Sequence, residues 1–210
     1  MKLHDHQPSI SLRDHLRSAT GKAHETLEGS LYLLRQPPDR DYFVRLLIRF
    51  HGFHRIWESA VARQLPDPVM PRRRLALIEQ DLRALGINEN AIRAIDPCAP
   101  AACLGDNPDS ALGSAYVLEG STLGGRVITQ HLSNASWCPP GGLQYFNPYG
   151  DETGSNWQAL LRHLATATGD TDRIVAGALR TFEILQDWLV CDDLSLLRLA
   201  IPAKTLISGQ

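Results

Sequence analysis

The sequence predicts a single all-α domain. Apolar residues recur every three or four positions along most of the 210-residue chain, which is the spacing of an amphipathic helix. Runs of β-branched residues with the two-residue period of a strand are missing from the sequence. The 43% content of apolar residues is enough for one globular core. We therefore expect one multi-helical domain over residues 11–192, between a flexible N-terminus (1–10) and a C-terminal tail (193–210).

The N-terminal half predicts four helices, separated by prolines and by Gly86. Proline and glycine disfavour the interior of a helix, so they mark its ends. Asp39 is a suitable N-cap for the second helix, because its carboxylate can accept the first free amides. The expected ranges are 11–35, 39–65, 71–85 and a short piece at 89–95.

The C-terminal half predicts three longer helices, over 108–134, 154–168 and 171–190. The proline at position 108 suits the first turn of a helix. Residues 135–153 are rich in proline and glycine and predict a loop, whose aromatic residues are expected to pack on the helices. The last helix has a buried stripe at Ile174, Ala178, Phe182, Leu185 and Leu189.

Charge and composition exclude several classes of function. The formal net charge is −2, which gives no general attraction to nucleic acid or to anionic lipid. No apolar run approaches the roughly 20 residues that span a bilayer, and the first residues lack the apolar core of a signal peptide. We expect a cytoplasmic protein with no nucleic-acid or membrane partner. The four cysteines lack CxxC spacing and are expected to stay thiols: Cys98, Cys103, Cys138 and Cys191.

Glycines inside the helix expected at 108–134 are the most informative feature. Gly113, Gly120 and Gly124 fall on one helix face, and Gly125 follows directly. Each glycine in a helix costs about 0.5–1 kcal/mol relative to alanine, so we expect something to lie close to this bare backbone. The spacing alone fits a tight crossing with another helix as well as it fits a ligand surface. The consecutive pair Gly124–Gly125 favours a kink or hinge, which an opening pocket would use.

His24 on the first helix is a second candidate. It lies at the border between the apolar stripe and the solvent-facing side, and Arg17 lies almost in line with it two turns earlier. A ligand with a metal at His24 could therefore have an acid group at Arg17. A lone histidine is more often an ordinary surface residue, so His24 is a candidate ligand-binding residue only in combination with the glycines.

Two segments carry a family resemblance when they are taken together. They read LRSATGKAHETLE near the N-terminus and YVLEGSTLGGRVI in the middle of the chain. Together they resemble the biliverdin-producing heme oxygenases, in particular the bacterial branch found beside phytochromes, over about residues 11–190. The resemblance implies a heme between a proximal helix and a kinked distal helix. It implies that His24 binds the iron and that Gly120, Gly124 and Gly125 contact the macrocycle.

The resemblance also implies the reaction and the way heme is held. Heme b serves as cofactor and substrate, and it is opened with O₂ and external electrons to biliverdin, CO and iron. Arg17 and Tyr116 match family positions that bind the heme propionates. Family members also use basic residues of the last helix, so we expect Arg173 or Arg180 to help.

One position departs from many members of the family. They have an aspartate after the first distal glycine to organise water, whereas this chain has Ser121, as the bacterial branch does. A serine can hold a water but supplies no carboxylate. We therefore expect the distal water network to draw on His51 or His54 and on Arg126. The two histidines are three residues apart and could both face inward, as metal ligands or as members of a polar network. The spacing alone favours a solvated pair on the helix surface.

The resemblance further implies a product and partners. Some bacterial relatives rotate the heme with a lysine-based clamp, but the corresponding residues here are Tyr32 and His131, which favours biliverdin IXα. The sequence has no flavin or nicotinamide fingerprint, so a ferredoxin or an NAD(P)H-dependent reductase is expected to dock, on a basic rim that includes Arg72–Arg74. The branch implies a bacteriophytochrome that receives biliverdin. A non-catalytic heme-binding or heme-transfer protein and a helical interaction domain stay open as alternatives.

Overall fold

A computed structural model describes residues 11–34, 38–65, 73–140 and 143–190. All regular elements within these residues are helical, which confirms the all-α prediction. In these ranges no helix is both long and apolar enough to cross a membrane. The expected N-terminal and C-terminal segments and Cys191 lie outside the described residues. The helices are α1 (Leu12–Leu31), α2 (Arg40–Val61), α3 (Leu75–Ala84), α4 (Glu89–Arg93), α5 (Pro108–Gly120), α6 (Thr122–Leu132), α7 (Thr153–Thr166) and α8 (Thr171–Leu189), with short 3₁₀ helices at Ala99–Gly105 and Gly150–Glu152.

Side-chain caps fix the start of five helices. In each case an oxygen of the residue before the helix accepts an amide of the first turn, which is worth about 1 kcal/mol. The C-terminal end of α1 comes earlier than the sequence predicts, because Tyr32 adopts a left-handed conformation with φ 50°. The hydroxyl of Tyr42 donates to the carbonyl of Leu31 at 2.5 Å and occupies this helix end. The five caps are Ser11, Asp39, Asn88, Asn107 and Asp170.

Helix α8 lies at the centre of the domain and packs against α1, α2 and α5. Its predicted apolar stripe is buried over its whole length, which confirms that part of the sequence analysis. The contact with α5 is close because it is made through glycines. A Cβ on Gly113 would collide with the carbonyl of Ile174, and a Cβ on Gly177 would lie 2.6 Å from the carbonyl of Ser110.

The long loop after α6 packs against α2. Trp137 packs on Phe43 with 5.2 Å between ring centroids, and Tyr145 packs on Phe50 at 4.9 Å. These contacts confirm that the aromatic residues of the loop pack on the helices. The Asp81 carboxylate accepts the amides of Gln144 and Tyr145, which anchors the loop to α3. The three described cysteines are free thiols, as expected.

The segment 108–134 is broken at Ser121, whereas the sequence places the kink at Gly124–Gly125. Ser121 Oγ donates to the carbonyl of Leu118 at 2.8 Å, and Thr122 Oγ1 donates to the carbonyl of Glu119 at 2.7 Å. Hydroxyl groups that bond back to the preceding turn bend helices. The guanidinium of Arg74 donates to the same carbonyl of Leu118 at 2.6 Å. The break therefore comes from side chains that donate hydrogen bonds to backbone carbonyls at the end of α5.

We predict opposite effects for two glycine-to-alanine changes in this segment. Gly113→Ala should lower the free energy of unfolding by about 1–3 kcal/mol, because the methyl group overpacks the α5–α8 crossing. Gly124→Ala should raise it by up to about 1 kcal/mol, because no atom lies within 4 Å of the added Cβ and alanine favours a helix. Urea denaturation of the heme-free protein measures both. Equal effects of the two changes would contradict this account of the helix packing.

Candidate functional site

We call the space between α1 and the broken helix α5–α6, which carry the predicted ligand contacts, the candidate cleft. Both α1 and α5 pack on α8, and α7 contacts all three of α1, α5 and α6, but α1 has only marginal contact with α5 and α6 among the described residues. Tyr116 of α5 lies within electrostatic range of Arg13 and Arg17 of α1. Arg17 shares a helix face with His24, and Tyr116 shares one with Gly120. The part of α1 that carries Arg17 therefore lies near the part of α5 that carries Tyr116.

His24 projects a half-exposed imidazole from α1. Its side chain is 52% exposed, and Nε2 lies 3.4 Å from Oε1 of Glu28, one turn later. The ring meets Phe182 of α8 edge-on, with 5.9 Å between centroids. When one ring nitrogen of an imidazole lies beside a carboxylate, the carboxylate orients the ring, and the second ring nitrogen can bind a metal.

The opposite wall of the cleft is bare backbone and uncovered apolar surface. An added Cβ on Gly124 would meet nothing within 4 Å, and one on Gly120 would meet only the side chain of Trp157, at 3.6 Å. Leu123 is 49% exposed and Val127 is 58% exposed. Large apolar side chains that share a face with open glycines mark a surface for an apolar ligand that approaches the main chain closely.

The other two glycines serve packing. Gly113 lies against Ile174 at the α5–α8 crossing, and a Cβ on Gly125 would collide with the carbonyl of Phe146. A helix crossing and a ligand surface, which the spacing alone could not separate, are thus both present in the same segment. Of the expected distal contacts, Gly124 is open on its Cβ side, Gly120 faces the side chain of Trp157 at van der Waals distance, and Gly125 is closed by the loop.

Tyr116 and Arg17, the two residues predicted to bind the propionates, lie within electrostatic range of each other. Tyr116 packs on Trp157 with 5.4 Å between ring centroids. Burial raises the pKa of Tyr116, although Arg13 and Arg17 oppose the shift, so the hydroxyl stays protonated and can donate. Together these groups offer cations and a hydrogen-bond donor to an acidic ligand group.

The two arginines of the last helix lie on its exposed side. Arg173 pairs with Asp170 at 3.5 Å, and Arg180 pairs with Glu183 at 3.0 Å. Arg180 lines a groove of about 530 Å³ between α1 and α8, and His24 and the distal glycines are not among the residues that line it. Arg17 is not among the residues that line this groove either.

His51 and His54 are buried, so the expectation of a solvated pair is wrong. His54 is fully enclosed; Nδ1 lies 3.1 Å from Glu58 Oε1, and Nε2 lies 3.1 Å from the hydroxyl of Tyr145. Its two ring nitrogens are thus both engaged by protein groups. His51 lies with Nε2 3.5 Å from Glu79 and lines a separate pocket of about 300 Å³ between α2, α3 and α4. The reason is that α2 is covered by α3 as well as by α8.

Ser121 and Arg126 are exposed at the α5–α6 wall. The hydroxyl proton of Ser121 is used in the bond to Leu118, but its oxygen can still accept from water. These two residues are the expected water-binding groups that remain at the surface of this wall.

The basic rim expected at Arg72–Arg74 needs a correction. Arg74 is 2% exposed, because its guanidinium turns inward to Leu118 and Glu119. Arg73 is exposed, and Arg72 lies outside the described residues. Sequence reasoning missed the buried pair of Arg74 and Glu119. The only signal for it was a carboxylate set among apolar residues and glycine in the motif VLEG.

The structure defines an all-helical protein with a half-exposed imidazole on α1 and uncovered main chain on α6. Comparisons with known proteins agree. A family model described as Heme oxygenase matches residues 10–190. A heme oxygenase of Xanthomonas campestris pv. campestris (strain 8004) is 32% identical over 152 residues, which cover 69% of this chain and 86% of that protein.

Solved structures show the same fold. Heme oxygenase-1 from the cyanobacterium Synechocystis sp. PCC6803, in complex with heme, has a TM-score of 0.70 at 18% identity and covers 90% of this chain and 95% of that one. The heme oxygenase of Leptospira interrogans has a TM-score of 0.71 at 18% identity, over 86% and 99% of the two chains. The chain belongs to the heme oxygenase family, and it is a heme-degrading enzyme.

We predict that the stability of the protein falls as the pH falls below about 6.5, the ordinary histidine pKa. Burial lowers the pKa of His54 and His51, although Glu58 and Glu79 oppose the shift. The unfolded chain then binds protons that the folded chain does not, which costs about 1.4 kcal/mol per pH unit for each histidine. Glu58 stays charged in this range, because bonds from His54 and two amides outweigh burial and lower its pKa.

Urea denaturation between about pH 8 and about pH 5.5 measures this slope. His54→Gln should reduce the number of protons taken up on unfolding by up to one, and so make the slope shallower, whatever its effect on stability at pH 8. His15→Gln, a change at an exposed position of α1, controls for the loss of a histidine. The same slope in the wild type and in His54→Gln would contradict the burial of an uncharged His54.

Proposed function

We propose that the protein opens heme b to biliverdin IXα, CO and iron with O₂ and electrons from a separate donor. The observation that carries this proposal is the half-exposed imidazole of His24 on α1, together with the uncovered main chain at Gly124 on α6. A flat apolar macrocycle fits between such walls, and its iron and its propionates find the donors they require. The residues present therefore fit heme.

Each wall would have its own task. His24 would bind the iron through an imidazole nitrogen, with Glu28 and Phe182 fixing the orientation of the ring. When bound, heme supplies the activation of O₂ and is itself the group that is oxidised. Gly120 and Gly124 leave the space that a small gaseous ligand needs beside a close main chain.

Three side chains would orient heme and water. Arg17 and Tyr116 would hold the propionates at the mouth of the cleft, where a cation and a protonated hydroxyl stand together. A water on the distal side would be held by Ser121 Oγ as acceptor, with Arg126 on the same helix segment as a donor. The burial of His51 and His54 gives them no direct part in this proposal.

Electrons would come from a ferredoxin or an NAD(P)H-dependent reductase. The exposed cations Arg13, Arg17 and Arg73 are available to an acidic donor surface, whereas Arg74 is not. We also propose that the biliverdin supplies a bacteriophytochrome. What supports this step is the motif YVLEGSTLGGRVI, with Ser121 in place of the aspartate.

Turnover of hemin tests the proposal directly. The purified protein is mixed with hemin, and ascorbate or a ferredoxin system is then added in air. Loss of the Soret band with the appearance of biliverdin absorbance is the expected result. A Soret band that persists would show a non-catalytic heme-binding protein, and no Soret shift on mixing would show that the cleft does not bind heme.

We predict that His24→Ala weakens hemin binding and abolishes the Soret band of an imidazole-ligated iron, because it removes the proposed ligand. Hemin titration followed by absorbance measures the effect. His15→Ala on the same helix is the matched control and should bind hemin as the wild type does. A wild-type spectrum for His24→Ala would exclude this histidine as the ligand.

We predict that the main product is biliverdin IXα. Tyr32 and His131 stand at the two positions where some relatives have a lysine-based clamp, and a tyrosine and a histidine provide no ammonium group to turn the heme. Chromatography of the extracted product against the four isomers measures the outcome. A product dominated by the β or δ isomer would contradict the prediction.

A further inference from the structure

We infer that Arg74 is a positioning residue that fixes the junction between α5 and α6 and thereby holds Gly120 and Gly124 against the heme. The part that concerns heme rests on the proposed function. The junction itself is described by the contacts of the heme-free chain. Arg74 lies just before α3, about 45 residues away from the junction along the chain.

The guanidinium of Arg74 makes two bonds at the end of α5. Nη2 donates to the carbonyl of Leu118 at 2.6 Å and lies 3.2 Å from the carboxylate of Glu119. The carbonyl of Leu118 also accepts the hydroxyl of Ser121. A carbonyl that accepts two side-chain donors is drawn out of the regular helix ladder, and side-chain insertion of this kind is a cause of sharp helix kinks.

The charged pair is enclosed. The side chains of Arg74 and Glu119 are 3% and 8% exposed. Burial disfavours the charged form of Arg74. The charge of Glu119 opposes this effect and, together with smaller contributions from nearby tyrosines and Glu58, raises the pKa of the guanidinium. Tyr149 donates its hydroxyl to the same carboxylate at 2.8 Å. A buried pair of this kind is costly to break on one side, so it holds its geometry.

The main chain at Arg74 is fixed as well. The amides of Arg74 and Leu75 donate to Oε1 of Glu58, at 2.7 and 2.8 Å. Glu58 is held by His54, whose other nitrogen lies 3.1 Å from the hydroxyl of Tyr145. A continuous polar chain therefore runs from α2 through the start of α3 to the end of α5. This gives the two buried groups that the reaction does not use, His54 and Glu58, a defined task.

The junction is immediately next to the open wall of the cleft. Leu118 and Glu119 directly precede Gly120, and Gly124 follows one helical turn later. A change in the direction of the Leu118 carbonyl therefore moves both glycines. Both bonds of Arg74 come from one nitrogen, Nη2, which lies one bond further from the main chain than the ammonium nitrogen of a lysine would.

Amide hydrogen exchange of the heme-free protein tests the clamp without relying on heme. Arg74→Lys keeps the charge, and Arg74→Met keeps much of the volume. Both should speed exchange at residues 118–125 by about tenfold or more relative to the wild type, because a charge-assisted bond at this end of the helix is lost. Arg49→Met is the matched control, because Arg49 is also buried but stacks on Trp188, with its guanidinium 4.9 Å from the ring centroid.

The hemin complex supplies the second measurement, the C–O stretching frequency of the reduced carbonyl form, which reports on the distal wall. It should shift in Arg74→Lys relative to both the wild type and Arg49→Met. Exchange that rises evenly over the chain, or equal effects of the Arg49 and Arg74 changes, would overturn the inference, as would an unshifted frequency in Arg74→Lys. If the wild type gives no Soret band, the proposed function fails, and the exchange result still decides whether Arg74 holds the junction.

Discussion

The crossing of α5 and α8 is the constraint on which the rest of the structure depends. Two helices can touch this closely only where side chains are missing, and Gly113 and Gly177 provide that place. Crossing helices diverge on either side of their contact. The same face of α5 that packs on α8 at Gly113 is therefore free of α8 two turns later at Gly120, where it faces Trp157. The same row of glycines thus packs against α8 at one end and continues into the uncovered main chain at Gly124.

The sequence predicts much of this because helices leave local signals. Apolar spacing, the caps at Ser11 and Asp39, and the stripe of α8 all depend on residues close together in the chain. The glycine face and His24 could be singled out for the same reason, since one helix face is fixed by the helical period alone.

What the sequence could not predict depends on contacts between distant segments. The break at Ser121 depends on Arg74, which no local rule connects to it, so the glycine pair was the natural but incorrect place for the kink. His54 shares a helix face with Phe50 and Trp57, so spacing allows an inward position, but its contact with Tyr145 depends on how the loop returns to α2. The closure of Gly125 by Phe146 likewise depends on how the loop returns to the helix.

Leu123 and Val127 form an exposed apolar surface on α6. A macrocycle bound there would cover this surface and so extend the hydrophobic core. Folding and ligand uptake would then be thermodynamically linked, and the resistance of the fold to heat would rise with the supply of heme. Release of the opened, more flexible product would reverse this gain, so each catalytic cycle would end with the protein at its least stable.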